Sequence, residues 1–238
     1  MAGKEPTANK ELHYLQHAAH DLKSPLNTIL GMSNLLQHML QDEPLDKTEV
    51  AKIIDLVKSS CNQAIDLTSD ILEMAELDSE HYQLPLQPII LHDFVRNYIY
   101  THRLMLLKKR MHLQFEADTY ASILMNQSKI TRVLDNIISN AVKFSHHGTN
   151  IWIKVTGAGK EVHLSVRDEG IGMSKRMVAD LFERFKGNQR RGLDGEISHG
   201  LGMTIVKQIV DLHQGTIDVH SEEGVGTEII LKFKKAGQ

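Results

Sequence analysis

The chain has 238 residues, 41% of them apolar and 24% charged, a balance that excludes disorder throughout and supplies enough apolar surface for one or two packed domains. Its 27 Lys and Arg against 30 Asp and Glu leave a formal net charge of −3, which excludes nucleic acid or an anionic membrane as the main partner on electrostatic grounds. One cysteine, Cys61, excludes an intramolecular disulfide framework and fits a reducing compartment, while no apolar run approaches the roughly 20 residues that a bilayer-spanning helix needs. Met1 to Lys10 is too polar for a signal peptide, so the expected location is the cytoplasm, with any membrane attachment coming from an upstream region. His13, His17 and His20 fall at helical spacing, but no third-ligand pattern follows them, and no metal site is expected there.

Apolar or small residues recur in alternating steps of three and four through Leu12, Leu15, Ala19, Leu22, Leu26, Ile29, Ser33, Leu36 and Leu40, which predicts a helix with a heptad seam. Val50, Ile53, Val57, Ser60, Ala64, Leu67, Ile71 and Met74 repeat the period after a polar stretch, Gln41 to Asp46, with Asp46 or Thr48 as the cap. Ile54, Cys61 and Ala75 widen the second stripe beyond what one partner helix covers. Pairing two such hairpins into a four-helix bundle would bury the excess; packing on the next domain is the alternative. Pro25 inside the first seam is predicted to kink or interrupt its helix. The segment Gln83-Leu-Pro-Leu-Gln-Pro88 ends the helical run and separates a hairpin domain over 8–80 from a second domain over 86–235.

In the second domain the pattern predicts helices over His92–Lys109, Asn126–Phe144, Ser174–Phe182 and Leu201–Leu212. Strands are expected at Met111–Glu116, Ser122–Met125, Asn150–Thr156, Glu161–Arg167, Thr216–His220 and Thr227–Phe233, two of them with clear period-two alternation. The sum is α+β, with helices on one face of a mixed or antiparallel sheet.

Candidate chemistry clusters in four places. His20 falls just outside the first seam, where its imidazole reaches solvent, with Asp21 beside it to hold a tautomer or accept a proton and Ser24 one turn on. Asn136, Asn140 and Lys143 share one helix face; an amide oxygen is a hard Mg²⁺ ligand and an ammonium a phosphate partner, though such a triplet alone also suits a polar outer face. Asp168-Glu-Gly-Ile-Gly172 follows a strand directly, where glycines let backbone approach a ligand or simply make a turn. Lys186 to Gly200 is polar and glycine-rich and reads as a mobile lid, whose Lys186, Arg190 and Arg191 can fold over a triphosphate before a helix opens at Gly200-Leu-Gly-Met203.

Taken in order, these segments resemble the boxes of the sensor histidine kinases. His20-Asp-Leu-Lys-Ser-Pro-Leu26 resembles the phosphoacceptor box, with Lys23 and Ser24 where the family commonly has Arg and Thr. Asp135 to Phe144 resembles the N box, Asp168 to Met173 the G1 box, Leu181 to Phe185 the F box, Gly200 to Met203 the G2 box and Gly224 to Thr227 the terminal glycine box; Ser198 stands where the family usually has glycine. The resemblance implies a dimeric four-helix bundle followed by a Bergerat-type ATP-binding sandwich. It implies autophosphorylation of His20 from ATP with Asp21 as acid/base neighbour, and transfer to an aspartate of a response-regulator receiver. It further assigns Asn140 to Mg²⁺, Lys143 to phosphate, Phe144 to the pocket wall, Asp168 to the adenine amine and Thr227 to the nucleotide region. Asn136, Gly170, Gly172, Phe182, Phe185, Arg190, Arg191, Gly200, Leu201 and Gly202 are expected to complete the nucleotide site, and Ser24 to bear on any phosphatase activity. Hydrolases of the same fold carry a general-base Glu four residues before the metal Asn; Asn136 stands there and cannot take a proton, which favours transfer to protein over hydrolysis. The competing class is a catalytically silent nucleotide-binding or dimerising regulator.

Overall fold

The computed structural model describes residues 7–41, 46–79, 82–183, 190–196 and 200–237, and divides into two compact units after Asp78. Each unit is built around its own apolar interior.

The first unit is a hairpin of two long helices, α1 (Thr7–Met39) and α2 (Lys47–Leu77). Asp46 is the cap that starts α2: its Oδ1 accepts from the amides of Thr48 at 2.8 Å and Glu49 at 3.3 Å, two of the donors a helix start leaves without partners. On α2 the predicted seam is the buried one, with Ile53, Ser60, Leu67 and Met74 all enclosed. On α1 the seam differs. Leu22, Ile29 and Leu36 are half-buried as expected, but the intervening positions that turn inward are Ala18, Pro25, Met32 and Met39, each one residue before the predicted Ala19, Leu26, Ser33 and Leu40. The α1 sequence carries apolar residues on both sides of its midline, so periodicity alone does not choose between adjacent stripes. Pro25 lies within α1, which the structure assigns as one continuous helix rather than two. Leu26, Leu30, Ile65 and Leu72 remain exposed.

The second unit comprises β1 (Gln87–Ile90), α3 (Leu91–Lys108), β2 (His112–Ala117), β3 (Ser122–Met125), α4 (Gln127–Phe144), β4 (Asn150–Ala158), β5 (Glu161–Asp168), α5 (Lys175–Ala179), α6 (Gly202–Leu212), β6 (Thr216–Glu222) and β7 (Gly226–Lys234). A five-stranded sheet runs in the order β2-β4-β5-β7-β6, parallel between β2 and β4 and antiparallel elsewhere. The sheet is therefore mixed. β1 pairs with β3 in a separate two-stranded sheet, an element the sequence shows only as an extended start around the two prolines.

Period-two alternation puts Ile151, Ile153 and Val155, Val162, Leu164 and Val166, and Ile229, Leu231 and Phe233 on one face, all at or near full burial. In register, Ile153 faces Val166 and Val166 faces Ile229, so the apolar residues line up across three strands. Helices α3, α4 and α6 supply the other half of the core through Leu91, Val95, Ile130, Leu134, Ile137, Ile205 and Ile209. α5 is shorter than the sequence predicts, since Asp180 caps it and Leu181 turns back on the Val178 carbonyl. His213 ties two helices together: its Nε2 accepts from the Asn126 amide at 3.0 Å, and its Nδ1–H donates to the Ile209 carbonyl at 2.7 Å. Burial lowers the pKa of His213 against the opposing pull of the Ile209 bond, which keeps the ring in the neutral form this bridge requires. Among the described residues no helix is long and apolar enough to cross a membrane.

Candidate functional site

On α1, His20 projects from the helix with its side chain 83% exposed, while the neighbouring Asp21 side chain is 15% exposed. His20 Nδ1 lies 3.3 Å from Asp21 Oδ1. A proton held on Nδ1 by that carboxylate leaves the lone pair of Nε2 directed away from it, which is the form in which imidazole acts as a nucleophile. Ser24 is exposed one turn on, and its carbonyl accepts from the Thr28 hydroxyl at 3.2 Å. These three residues belong to the hairpin unit. All the other candidates lie in the second.

α4 starts at Asn126, whose side chain accepts from the Lys129 amide. Its buried row, Ile130, Val133, Leu134, Ile137, Ile138, Ala141 and Val142, anchors it in the core and leaves Asn136, Asn140, Lys143 and Phe144 half-buried alongside. Asn136 Nδ2 is buried without a hydrogen-bond partner among the described residues. Gly202, the first residue of α6, packs against the same amide so closely that an added Cβ would stand 2.7 Å from Asn136 Oδ1. An unpaired buried amide donor beside a helix start is suited to an anionic oxygen. One residue before it, Asp135 accepts the Tyr98 hydroxyl at 2.7 Å, and His102 stacks on the Tyr98 ring at 4.1 Å, bracing α3 against this part of α4. Burial, followed by the Asp135 contact, holds the Tyr98 hydroxyl far above its ordinary pKa, so it stays a donor.

Asp168 ends β5. Its Oδ1 accepts from the Gly170 amide at 2.8 Å and the Thr227 amide at 3.2 Å. Burial pushes the carboxyl up to about 6 against the lowering effect of those two bonds, so it is ionised at neutral pH but not by a wide margin. The glycines here are required by space. A Cβ on Gly170 would overlap the Phe144 carbonyl, which also accepts from the Ile171 amide at 3.0 Å, and a Cβ on Gly172, at φ +60°, would overlap the Glu222 carbonyl. Ser221 locks this loop to the β6–β7 turn: its hydroxyl accepts from the Met173 amide at 2.9 Å, donates to the Gly226 carbonyl at 3.0 Å and lies 2.8 Å from Thr227 Oγ1. Phe182 is half-buried and its carbonyl accepts from the Thr204 hydroxyl on α6 at 3.3 Å, while Gly200 and the fully buried Leu201 lead into that helix.

Arg190 closes the group. Its Nη1 donates to the Gly172 carbonyl at 3.0 Å, and its guanidinium carbon stands 6.0 Å from the Phe144 ring centroid. Arg191 is exposed. The stretch that the sequence presents as a mobile lid is tied down over residues 192–196. The Gly192 amide donates to the Glu196 carbonyl at 2.7 Å and the Leu193 amide to the Lys143 carbonyl at 2.9 Å. Lys109 Nζ, on a side chain only 6% exposed, bonds Asp194 at 2.9 Å and Glu196 at 3.0 Å. Burial acts to lower the Lys109 pKa, but the bonds to Asp194 and Glu196 outweigh it and raise the value. Lys109, Asp194, Glu196 and Ser221 escape sequence reading because their partners lie far along the chain and no spacing links them. Phe185, Lys186 and Ser198 lie outside the described residues. Among the described residues no group of three or more His, Cys, Asp and Glu could hold a metal ion.

The chain thus brings Phe144, Asp168, Gly170, Gly172, Arg190 and Thr227 together and sets Asn136 against Gly202 about two turns back along α4 from Phe144. Residues 11–80 match the His Kinase A (phospho-acceptor) domain, and residues 125–237 match the histidine kinase-, DNA gyrase B-, and HSP90-like ATPase family. The chain is 32% identical to the sensor histidine kinase WalK of Bacillus subtilis, over 95% of this chain and 37% of WalK. It is 26% identical to the sensor histidine kinase YclK of the same organism, over 96% of this chain and 48% of YclK. The chain therefore spans less than half the length of these curated relatives. Among solved structures, histidine kinase ThkA in complex with response regulator protein TrrA superposes with a TM-score of 0.74 at 21% identity, over 97% of this chain and 64% of that one. Full-length ShkA in complex with AMPPNP superposes with a TM-score of 0.67 at 24% identity, over 94% of this chain and 46% of that one.

Proposed function

The chain belongs to the sensor histidine kinases, and from that premise we propose that it transfers the γ-phosphoryl group of ATP to His20 and then to an aspartate of a response-regulator receiver. The observation that carries this reading is the pairing of an exposed imidazole, hydrogen-bonded to Asp21 on a helical hairpin, with a separate unit whose glycine loops converge on Asp168 and Asn136. A structure of a relative, ThkA, with its regulator and one of ShkA with AMPPNP support the two partners by analogy.

In this reading Asp168 accepts from the exocyclic amine of adenine through its carboxylate, Phe144 walls the base, and Thr227 and the Gly170–Gly172 loop fix the carboxylate from behind. Asn136, the α6 start at Gly202, Lys143 and the lid cations Arg190 and Arg191 meet the phosphates. Phe182 and Phe185 anchor the near end of the lid, and Gly200 and Leu201 its far end. Asn140 fits a Mg²⁺ site because one amide oxygen with phosphates and water completes the shell this ion prefers, and the ion would offset the charge of the triphosphate. His20 Nε2 attacks the γ-phosphorus as the bond from that phosphorus to the β-phosphate oxygen breaks, and ADP leaves with the electron pair. Asp21 holds the Nδ1 proton during attack. The exposed apolar row Leu26, Leu30, Ile65 and Leu72 favours pairing of two hairpins into a four-helix bundle. The working boundaries are 8–80 for the hairpin and 86–235 for the ATP-binding domain, both placed in the cytoplasm, where ATP is available.

Incubation with γ-labelled ATP tests the reading. Label that survives base, is lost in acid and is absent from His20→Gln is expected, followed by its transfer to one member of a panel of receiver domains. Steady phosphate release indifferent to His20→Gln would instead identify a plain ATPase, and nucleotide binding without any label a silent regulator.

A further inference from the structure

Lys109 is remote in sequence from every residue assigned above, yet its buried ammonium joins two carboxylates of the 192–196 turn to the end of α4. That end presents the Lys143 carbonyl, a last-turn acceptor without a helical partner, which takes the Leu193 amide at 2.9 Å and lies 3.5 Å from Lys109 Nζ. A cation at a helix C-terminus is favoured by the helix dipole as well as by its ion pairs. His147 adds a second contact to the Asp194 carboxylate at 3.1 Å, and Gly192 leaves the space that the Glu196 carboxylate fills. The turn is therefore docked by the Lys109 charge on one side, by the His147 hydrogen bond on another and by backbone from a third.

Docking the turn fixes Arg190. Only Arg191 separates Arg190 from Gly192, and two residues reach at most about 7 Å, so a seated turn holds Arg190 beside Phe144 and Gly172. We propose that Lys109 is a positioning residue for nucleotide: through Asp194 and Glu196 it seats the 192–196 turn of the lid on α4 and so presents Arg190 to the polyphosphate. This inference rests on the reading of the second unit as an ATP site. With the turn released, the ligand itself must order that segment when it binds, and affinity falls for whatever Arg190 contacts. Adenosine lacks those phosphates and should be indifferent.

The test uses the full chain, with ATP binding followed by calorimetry in the presence of Mg²⁺, adenosine binding by ligand-observed NMR, and trypsin cleavage after Arg190 and Arg191 measured without nucleotide. Lys109→Met is expected to weaken ATP about tenfold, the scale of losing charge-assisted hydrogen bonds, and to leave adenosine within about twofold. Asp194→Asn combined with Glu196→Gln should do the same; both side chains are partly exposed, 44% and 31%, and their amide oxygens, with the Lys143 carbonyl at 3.5 Å, can still accept from the buried Lys109 ammonium, so the variant removes the charge pairing without leaving that ammonium unbonded. Cleavage should quicken about tenfold in both variants. In an Arg190→Ala background the Lys109→Met effect on ATP should shrink below about twofold, since the two residues act through one contact. Equal losses for ATP and adenosine, or an effect undiminished by Arg190→Ala, would reduce Lys109 to a structural residue; unchanged ATP affinity in Lys109→Met would overturn the proposal outright. Failure of the parent chain to bind ATP would remove the nucleotide reading together with the inference, a result distinct from all the others.

Discussion

At Asp168 the requirements of folding and of recognition oppose each other. The carboxyl sits in a place that favours its neutral form, with its ordinary value of 3.8 raised to about 6, but the amine it would meet in adenine calls for the ionised one. Because the folded chain holds this proton more tightly than the unfolded chain, the stability tied to the group is present in full below about pH 3.8 and is lost as pH rises through about 6. The displacement corresponds to about 3 kcal/mol. Urea unfolding should therefore show Asp168→Asn gaining on the parent by that order between pH 4 and pH 7, since its amide oxygen can still accept from Gly170 and Thr227. Binding should run the other way: parent affinity for ATP rises between pH 5 and pH 7, whereas Asp168→Asn binds at least about tenfold more weakly and without that rise, because its amide turns a donor toward the adenine amine. A parent that binds ATP equally at pH 5 and pH 7 would show that the ionised carboxylate does not contact the base. Asp168 is legible in the sequence because its glycines follow it within four residues. Ser221, which holds the same loop from the β6–β7 turn, carries no such local mark.

Elements were legible to the extent that one face of each is buried. β4 and β5 alternate cleanly because their inner residues are enclosed and their outer ones are not, and the seam on α2 stands out because Ile53, Ser60, Leu67 and Met74 face a single partner. α1 defeats the same reasoning, since its apolar side chains divide between enclosed and exposed surroundings: Pro25 is buried while Leu26, the obvious seam residue, is 49% exposed. Two classes of hairpin substitution should separate these surroundings. Leu67→Ala removes a fully buried side chain and is expected to cost about 2–5 kcal/mol. Its helical melting temperature should fall at every protein concentration. Ile65→Ala combined with Leu72→Ala alters side chains 61% and 66% exposed in the single chain, so the hairpin itself should lose little. Sedimentation should show the dimer weakened about tenfold or more, from roughly 1.4 kcal/mol or more of lost contact. Unaltered dimerisation in this variant would remove the apolar row from the bundle interface.

For the whole molecule the decisive feature is that the proposed acceptor, His20, and the proposed nucleotide site occupy different units, each with its own interior, on either side of Asp78. The sequence shows that division through a change of period and two prolines, but it does not show how far the chemistry depends on the link. If the two units meet only as enzyme and substrate, covalent connection supplies local concentration rather than structure. A polypeptide of residues 79–238 should then bind ATP and remain unlabelled, and a separate hairpin of residues 7–78 should bind none. Mixed at about 10 μM, they should produce acid-labile label on His20 at a rate lower by about 100-fold, the ratio between that concentration and the millimolar value typical of a short flexible link. Raising the hairpin concentration should recover the rate in proportion. Label retained by residues 79–238 alone would place the acceptor outside α1. No label at any hairpin concentration would mean that the connection positions His20 rather than merely keeping it near.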